Sequence, residues 1–585
     1  MEINYKKNKN QELFQQLMDE KLVNIDNIQN YIPIYNSFFN LNENNYNSIN
    51  LNNYFNLNSI DDKIGYSKFN GTIIDNSNNI IKKKIFFKYS PLVDPIKYML
   101  GKYDLSNDIY ELPKIKNSDK IIKKTLDNNN SAYTDGFFSF LSSLLLNKYD
   151  FLNGIDYYGS YLGNKNNFIV DIEDDVEYLD DSEYFHKNNN ILFKIEENEH
   201  TKNFFSNTKK YRKELCIEQV DISDDILNIC EISDLNNNEY NLTEINLSNK
   251  LEIEYNNNEN NENNENNENN ENTENTENTE KKVPKKKIKT NEHNESESSC
   301  SSRYSNTNSS ESNSSENSDE SEETDESEES TETELLANIF KLPIQTIALE
   351  CCDDTLDTYI INNKIKDDEW ESIVLQLIFT LITYQKVYDF THNDLHTNNI
   401  VYNKTEKKFL YYKYNNKHYK VPTFGKIYKI IDFGRAIYKF KGKLICSDSY
   451  APEGDAHTQY NTEPYLNEEK ARLDPNYSFD LCRLGCSLFD YFIEDIEDIK
   501  KLKSPIKKIM IEWVFDDSNK NILYKNDGSE RYPDFKLYKM IARTVHNHKP
   551  QHVINKSLFD KYTLPKKKIN NQSAIFNIDV LPILC

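Results

Sequence analysis

The chain has no long hydrophobic run. Its longest helix-compatible apolar stretch, Ile373 to Ile382, falls far short of the ~20 residues that a membrane span needs. Its opening residues, Met-Glu-Ile-Asn-Tyr-Lys-Lys, lack the apolar segment of a secretory signal. Paired-cysteine motifs are missing too. The nine cysteines are scattered and odd in number, and neither Cys351-Cys352 nor the pair Cys482 and Cys486 has CxxC spacing. This argues against a disulfide framework or a zinc site, and for reduced thiols inside a cell. Cations are in deficit, with 70 Lys and Arg against 96 Asp and Glu and a net charge of -26. Such a balance counts against nucleic-acid binding, which needs many phosphate-facing cations, and against docking on an anionic membrane. Apolar residues make up 37% of the chain, below the usual 45–50% or so, so part of it belongs to no core.

Asparagine is abundant, at roughly one residue in seven. The 585 residues suffice for two or three domain-sized units, or for one domain with large insertions. Residues 1–50 read as an Asn-rich N-terminal extension. Residues 236–334 read as a disordered low-complexity insertion, with Asn-Asn-Glu triplets, a basic patch at 281–289 and a Ser/Glu/Asp tract through Glu334. The basic patch fits either a nuclear-import signal or a local counter-charge. About -16 of the net charge falls within 256–334, leaving about -10 for the rest. The folded segments are thus only mildly acidic, and nucleic acid is disfavoured as a partner rather than excluded.

The flanks carry regular patterns. Ile85-Phe-Phe-Lys-Tyr-Ser-Pro91 predicts an apolar strand with one lysine, and residues 135–148 predict a buried helix. Tyr157 to Leu162 and Gln345 to Glu350 predict strands, and Phe409 to Tyr419 a hairpin. Residues 367–389 predict an amphipathic helix with Asp367 or Asp368 as N-cap, and a second helix is expected from Phe479 to about Ile493. The fold class expected is α+β: a strand-rich part over 51–235, its last strand and a hinge at 335–352, a helical part at 353–550 and a tail at 551–585.

Three motifs carry chemistry. His392-x-Asp394 is followed five residues after the aspartate by Asn399, Asp432-Phe433-Gly434 comes later, and Asp480 to Gly485 opens the second helix. Taken together, in this order and at this spacing, they resemble the protein-kinase superfamily over roughly residues 60–235 and 335–550. The resemblance implies a bilobal fold with a long disordered insertion in its N-terminal lobe, and ATP and Mg²⁺ as cofactors. It implies that Asp394 orients the acceptor hydroxyl and takes its proton, while Asn399 and Asp432 hold the metal. Lys88 would meet the α/β-phosphates, with Asp135 as its partner and Lys194 as the rival lysine. Gly65 to Gly71 would cover the phosphates, and Glu350 to Asp354, including Cys352, would form the hinge that meets adenine. Ala451-Pro-Glu453 matches the end of an activation segment.

Several positions depart from the family. Asn393 replaces the usual arginine, which removes the cation that pairs with a phosphorylated loop. His396 replaces the usual lysine, as in aminoglycoside, choline and haspin-like kinases, and still lies within reach of the transferring phosphate. The glycine segment is not GxGxxG. Composition and departures together resemble kinases of giant DNA viruses of the mimivirus type, and AT-rich protists also produce chains of such composition. The viral resemblance implies an intracellular protein in host cytoplasm or nucleus, or packaged in the virion, while the core groups Asp394, Asn399 and Asp432 imply a kinase acting on protein Ser/Thr. A weak pseudokinase scaffold and a small-molecule kinase stay open. A metal-hydrolase triad of His392, Asp394 and His396 is the remaining alternative.

Overall fold

Long strands with apolar residues on both faces pair into an antiparallel sheet. The computed structural model describes residues 3–7, 10–103, 108–195, 335–568 and 574–585. The insertion expected at 236–334 and the end of the 51–235 segment lie outside the described residues. The fold is α+β. Its largest sheet runs, edge to edge, through Ile25–Gln29, Tyr157–Asp171, Leu336–Glu350, Ile80–Pro91, Lys68–Ile74 and Asn56–Lys63. A seventh strand, Phe193–Ile195, pairs with Leu336–Glu350, setting Ile195 opposite Ala337.

The register decides which residues share a face. Lys88 lies opposite Ile347, which lies opposite Ser160, so all three face the same way. On that face Ile347 packs in one core with Phe137, Phe138 and Leu141 of the helix Ser131–Tyr149. The other face, with Phe87, Tyr89, Ile344 and Ala348, forms a second core with Leu13, Leu17 and Phe69. The helix begins four residues before the apolar run, because Asn130 caps it by accepting from the Ala132 N–H at 3.0 Å.

The helix Asp367–Tyr388 is buried over most of its circumference. Its N-cap is Lys366, with no side-chain cap, so neither Asp367 nor Asp368 caps it. Instead Asp367, Asp368 and Glu369 occupy the first turn, where carboxylates oppose the positive end of the helix dipole. The helix Phe479–Phe492 falls close to its expected span. Among the described residues, no helix is long and apolar enough to cross a membrane.

Two expectations about the ends are corrected. Residues 10–51 are not an extension, since Ile25–Gln29 forms the sheet edge and Leu13, Leu17, Tyr35 and Ile49 are core. The asparagines that made this segment look irregular take up left-handed backbone at a helix start, before a strand and at a strand irregularity. Asn10, Asn24 and Asn27 have φ of 50°, 60° and 54°, a conformation that asparagine tolerates better than most side chains. The described residues of the expected tail, 551–568 and 574–585, are built into the fold as well. Thr563–Leu564 and Phe576–Asn577 flank the hairpin Phe409–Tyr414/Lys417–Pro422 in a four-stranded sheet. That hairpin turns at Asn415 and Asn416, both with positive φ, as a two-residue turn requires. Lys386 then donates to the Ile578 and Asp579 carbonyls at 2.6 and 2.8 Å.

Candidate active site

The loop after the helix Asp367–Tyr388 is fixed from below by one buried carboxylate. Asp480 accepts the His392 N–H at 3.0 Å and the Asn393 N–H at 2.9 Å. The His392 ring contacts the Ile431 carbonyl through Nε2 at 2.9 Å. Asn393, at φ 66°, donates to the Arg435 carbonyl at 3.0 Å and accepts from the Tyr460 hydroxyl at 2.8 Å. It braces two segments and brings no charge.

This scaffold presents four of the expected residues together. Asn399 Nδ2 donates to the Asp394 carbonyl at 2.9 Å and lies 3.1 Å from His396 Nε2. That leaves Asn399 Oδ1 buried without a partner, and Asp432 Oδ2 likewise. Asp432 itself has φ 63°. The next N–H, of Phe433, donates to Asp135 Oδ1 at 2.9 Å, while the Phe433 ring packs against Phe138 at 4.6 Å between centroids.

The Lys88 ammonium lies 2.7 Å from Asp135 Oδ2 and 2.6 Å from Asp432 Oδ1. Burial would lower the Lys88 pKa, but the two carboxylates outweigh it and the net shift is upward. Burial raises the Asp135 carboxyl, with Asp432 adding to the rise against the pull of Lys88. Lys194 is exposed on its short strand, opposite Asn338, and takes no part in this cluster.

Burial alone would raise the Asp394 carboxyl as well. Arg435 chiefly, with Arg483 and the Tyr538 hydroxyl, reverses this and holds it far below the usual carboxylate range. Burial pushes His396 down to about 4, against the attraction of Asp394, so its ring is neutral at pH 7. At pH 7 it therefore brings no cation to the site.

Other expected residues have different roles. Glu350 does not offer its side chain or N–H to a ligand. Its carboxylate meets Lys429 at 2.5 Å, Asn403 Nδ2 at 2.5 Å and the Asp156 N–H at 2.7 Å, and its own N–H donates to the Asp156 carbonyl at 3.0 Å. It is a half-buried anchor joining the sheet to the helical part. The main chain of Cys351 and Cys352, just beyond, bonds no other main-chain group, and burial raises the Cys352 thiol. Gly65 lies in the turn between Asn56–Lys63 and Lys68–Ile74. Gly71 does not; it lies within Lys68–Ile74, where a Cβ would come 2.3 Å from the Ser59 carbonyl oxygen. Close strand packing explains that glycine, not a phosphate lid. The turn is held instead by Tyr66, whose hydroxyl accepts the Ile169 N–H at 3.1 Å. Glu453 contributes its carbonyl to Lys97 at 2.7 Å.

The Glu350 anchor makes Asp156 pH-sensitive. Burial, with Glu350 adding, raises its carboxyl from 3.8 to about 6. A raised carboxyl stabilises the fold fully below its unfolded pKa and loses that contribution as pH rises from about 4 to 6. Asp156→Asn, whose amide oxygen can still accept from Ser143 and Asn147, is expected to be more stable than wild type at pH 7.5, on the order of 2 kcal/mol. The gain should vanish near pH 4. Thermal melts across this range check it, and equal stability at pH 7.5 would refute it.

Sequence reasoning missed Arg435, Arg483 and Tyr538, which surround Asp394. Arg483 had a usable signal: it follows Asp480 by three residues and so shares its helix face. Tyr538, 144 residues from Asp394, had none. Among the described residues, no three His, Cys, Asp or Glu side chains are grouped to hold a metal, which leaves the hydrolase triad without its ligand set. An amide oxygen and a carboxylate oxygen, both orphaned, are the donors that hard cations such as Mg²⁺ prefer. The chain matches no model of a known protein family and no curated protein.

Proposed function

We propose that the protein is an ATP- and Mg²⁺-dependent phosphotransferase of the protein-kinase superfamily, acting on serine or threonine hydroxyls of proteins. One observation carries the proposal: Lys88 bridges Asp135 and Asp432, and Asp432 Oδ2 and Asn399 Oδ1 are left as unpaired buried oxygens. In this reading the sheet and the helical part are two lobes, and Glu350 to Asp354 form the hinge, where the Cys352 N–H, which bonds no main-chain group among the described residues, would meet adenine.

Each residue's task follows from its atoms. Lys88 neutralises phosphate oxygens and is held in place by Asp135. Asn399 and Asp432 would hold Mg²⁺, which would supply charge neutralisation on the phosphates. Asp394, kept ionised, accepts the acceptor hydroxyl's proton as the oxygen attacks the γ-phosphorus and ADP leaves. Asn393 removes the usual phosphate-sensing cation, so activity is expected without loop phosphorylation. A neutral His396 favours a second reading, a small-molecule hydroxyl as acceptor.

Two measurements test this on the wild-type chain. Mg²⁺-ATP at about 100 times its Kd should stabilise the fold by about 2.7 kcal/mol. Labelled γ-phosphate should pass to a Ser/Thr protein acceptor. Transfer to metabolite hydroxyls alone selects the second reading. Binding without any transfer makes the protein a scaffold, and neither binding nor transfer refutes the proposal.

A further inference from the structure

Asp394 has two carboxylate oxygens in different surroundings. Oδ1 accepts from the Tyr538 hydroxyl at 2.7 Å. Oδ2 accepts no hydrogen bond from the described residues, yet it is not sealed from solvent. The Tyr538 hydroxyl in turn accepts from Arg483 Nε at 2.8 Å, and that nitrogen lies 3.8 Å from Asp394 Oδ1. The three groups form a relay, from guanidinium to phenol to carboxylate.

The phenol ring is clamped. The Arg435 and Arg483 guanidinium carbons lie 5.3 and 5.2 Å from its centroid, and Phe535 stacks on it at 5.3 Å and 15°. Arg435 is itself paired with Asp455 at 2.5 Å. Two helices thereby converge on one oxygen: Phe479–Phe492, which also carries Asp480, and Lys536–Thr544. Burial raises the Tyr538 phenol to about 12, so it remains a donor at working pH.

A carboxylate turns easily about its last torsion, which is broad and nearly two-fold. Hydrogen bonds from the loop fix the Asp394 main chain: its carbonyl accepts from Asn399, and its N–H donates to His392 Nδ1 at 3.3 Å. They do not fix the carboxylate plane, and a base must hold its accepting oxygen within hydrogen-bond reach of the acceptor proton.

We propose that Tyr538 and Arg483 are positioning residues that lock the Asp394 carboxylate with Oδ1 engaged and Oδ2 turned toward the acceptor hydroxyl. The proposal rests on the phosphotransferase reading for its function and on the relay geometry for its existence, and these are separately testable.

Tyr538→Phe keeps the clamped ring and removes the donor. The expected result is a fall in kcat of about ten- to a hundredfold, the worth of one hydrogen bond to a charged group, with KM for ATP and the Mg²⁺-ATP thermal shift unchanged. Arg483→Met should fall similarly, Arg483→Lys should recover part of the loss, and the double variant should be little worse than either single one. A thermal-stability cycle reads the contact without any activity. Tyr538→Phe should lower the melting temperature in wild type and lower it less in Asp394→Asn. Should wild type transfer no phosphate, the phosphotransferase reading fails, while this cycle still decides the relay. Additive stability effects would overturn the relay. A rise in kcat for Tyr538→Phe would also overturn the proposal and make the phenol a plug on Asp394. A rise in KM with unchanged kcat would do the same, giving Tyr538 a binding role instead.

Discussion

Asp432→Ala is expected to cut phosphotransfer by about a thousandfold or more, which corresponds to about 4 kcal/mol of lost transition-state stabilisation. Its Oδ2 is one of two orphaned oxygens that fit the metal, and alanine leaves the other, Asn399 Oδ1, to hold it alone. The fold should survive. Removing this carboxylate leaves Lys88 paired one-to-one with Asp135 and relieves the repulsion that helps raise the Asp135 carboxyl. The melting temperature should therefore stay close to that of wild type, or rise. Initial rates of label transfer with a parallel melt separate the two effects. Retained transfer, or a collapse of stability alongside lost transfer, would contradict this account of Asp432.

Lys88→Met inverts that pattern. It removes the cation shared by two buried carboxylates, and both oxygens within 2.7 Å of Nζ lose their partner. Breaking a buried pair by deleting one member costs about 3–5 kcal/mol, because the remaining charge stays buried and unpaired. Two like charges left side by side sharpen the cost, and the Asp135 carboxyl, already raised by burial, would rise further without Lys88. The loss should be largest at pH 8 and shrink toward pH 5. Adding Asp135→Asn to Lys88→Met should restore part of it. Transfer should fall in both variants, since neither retains the phosphate-facing cation. Equal stability of Lys88→Met and wild type at pH 8 would show that the cluster is not held together by charge.

How much could be read in advance follows from the range of each signal. Asp394, Asn399, Asp432 and Asp480 sit in short motifs, and the resemblance those motifs carry is what predicted that they would come together. Strand and helix patterns placed Lys88 and Asp135 in their elements, but it was the family resemblance, not the patterns, that paired them. The pair Glu350 and Lys429 spans 79 residues, and the contact of Tyr538 with Asp394 spans 144. No local pattern reports such distances, so Glu350 was assigned to a ligand-facing hinge. Gly71 looked like part of a lid because glycine is read first as freedom to turn, whereas here it allows close approach of two strands. The segments 10–51 and 563–577 misled by composition. Their strands are only two to five residues long, too short to show a period, and asparagine at positive φ looks the same in sequence as asparagine in a loop.

The pairing of Ile195 with Ala337 has an evolutionary consequence. The chain leaves the sheet at Ile195 and rejoins it at Ala337, directly opposite. Bringing two distant points of a chain together costs entropy that grows only with the logarithm of their separation, by about 0.6 kcal/mol per doubling. The sheet that carries Lys88 is therefore nearly indifferent to how many residues stand between those two positions. Triplet repeats can lengthen or shorten there by replication slippage, and the geometry of the Lys88 cluster exerts little selection against it.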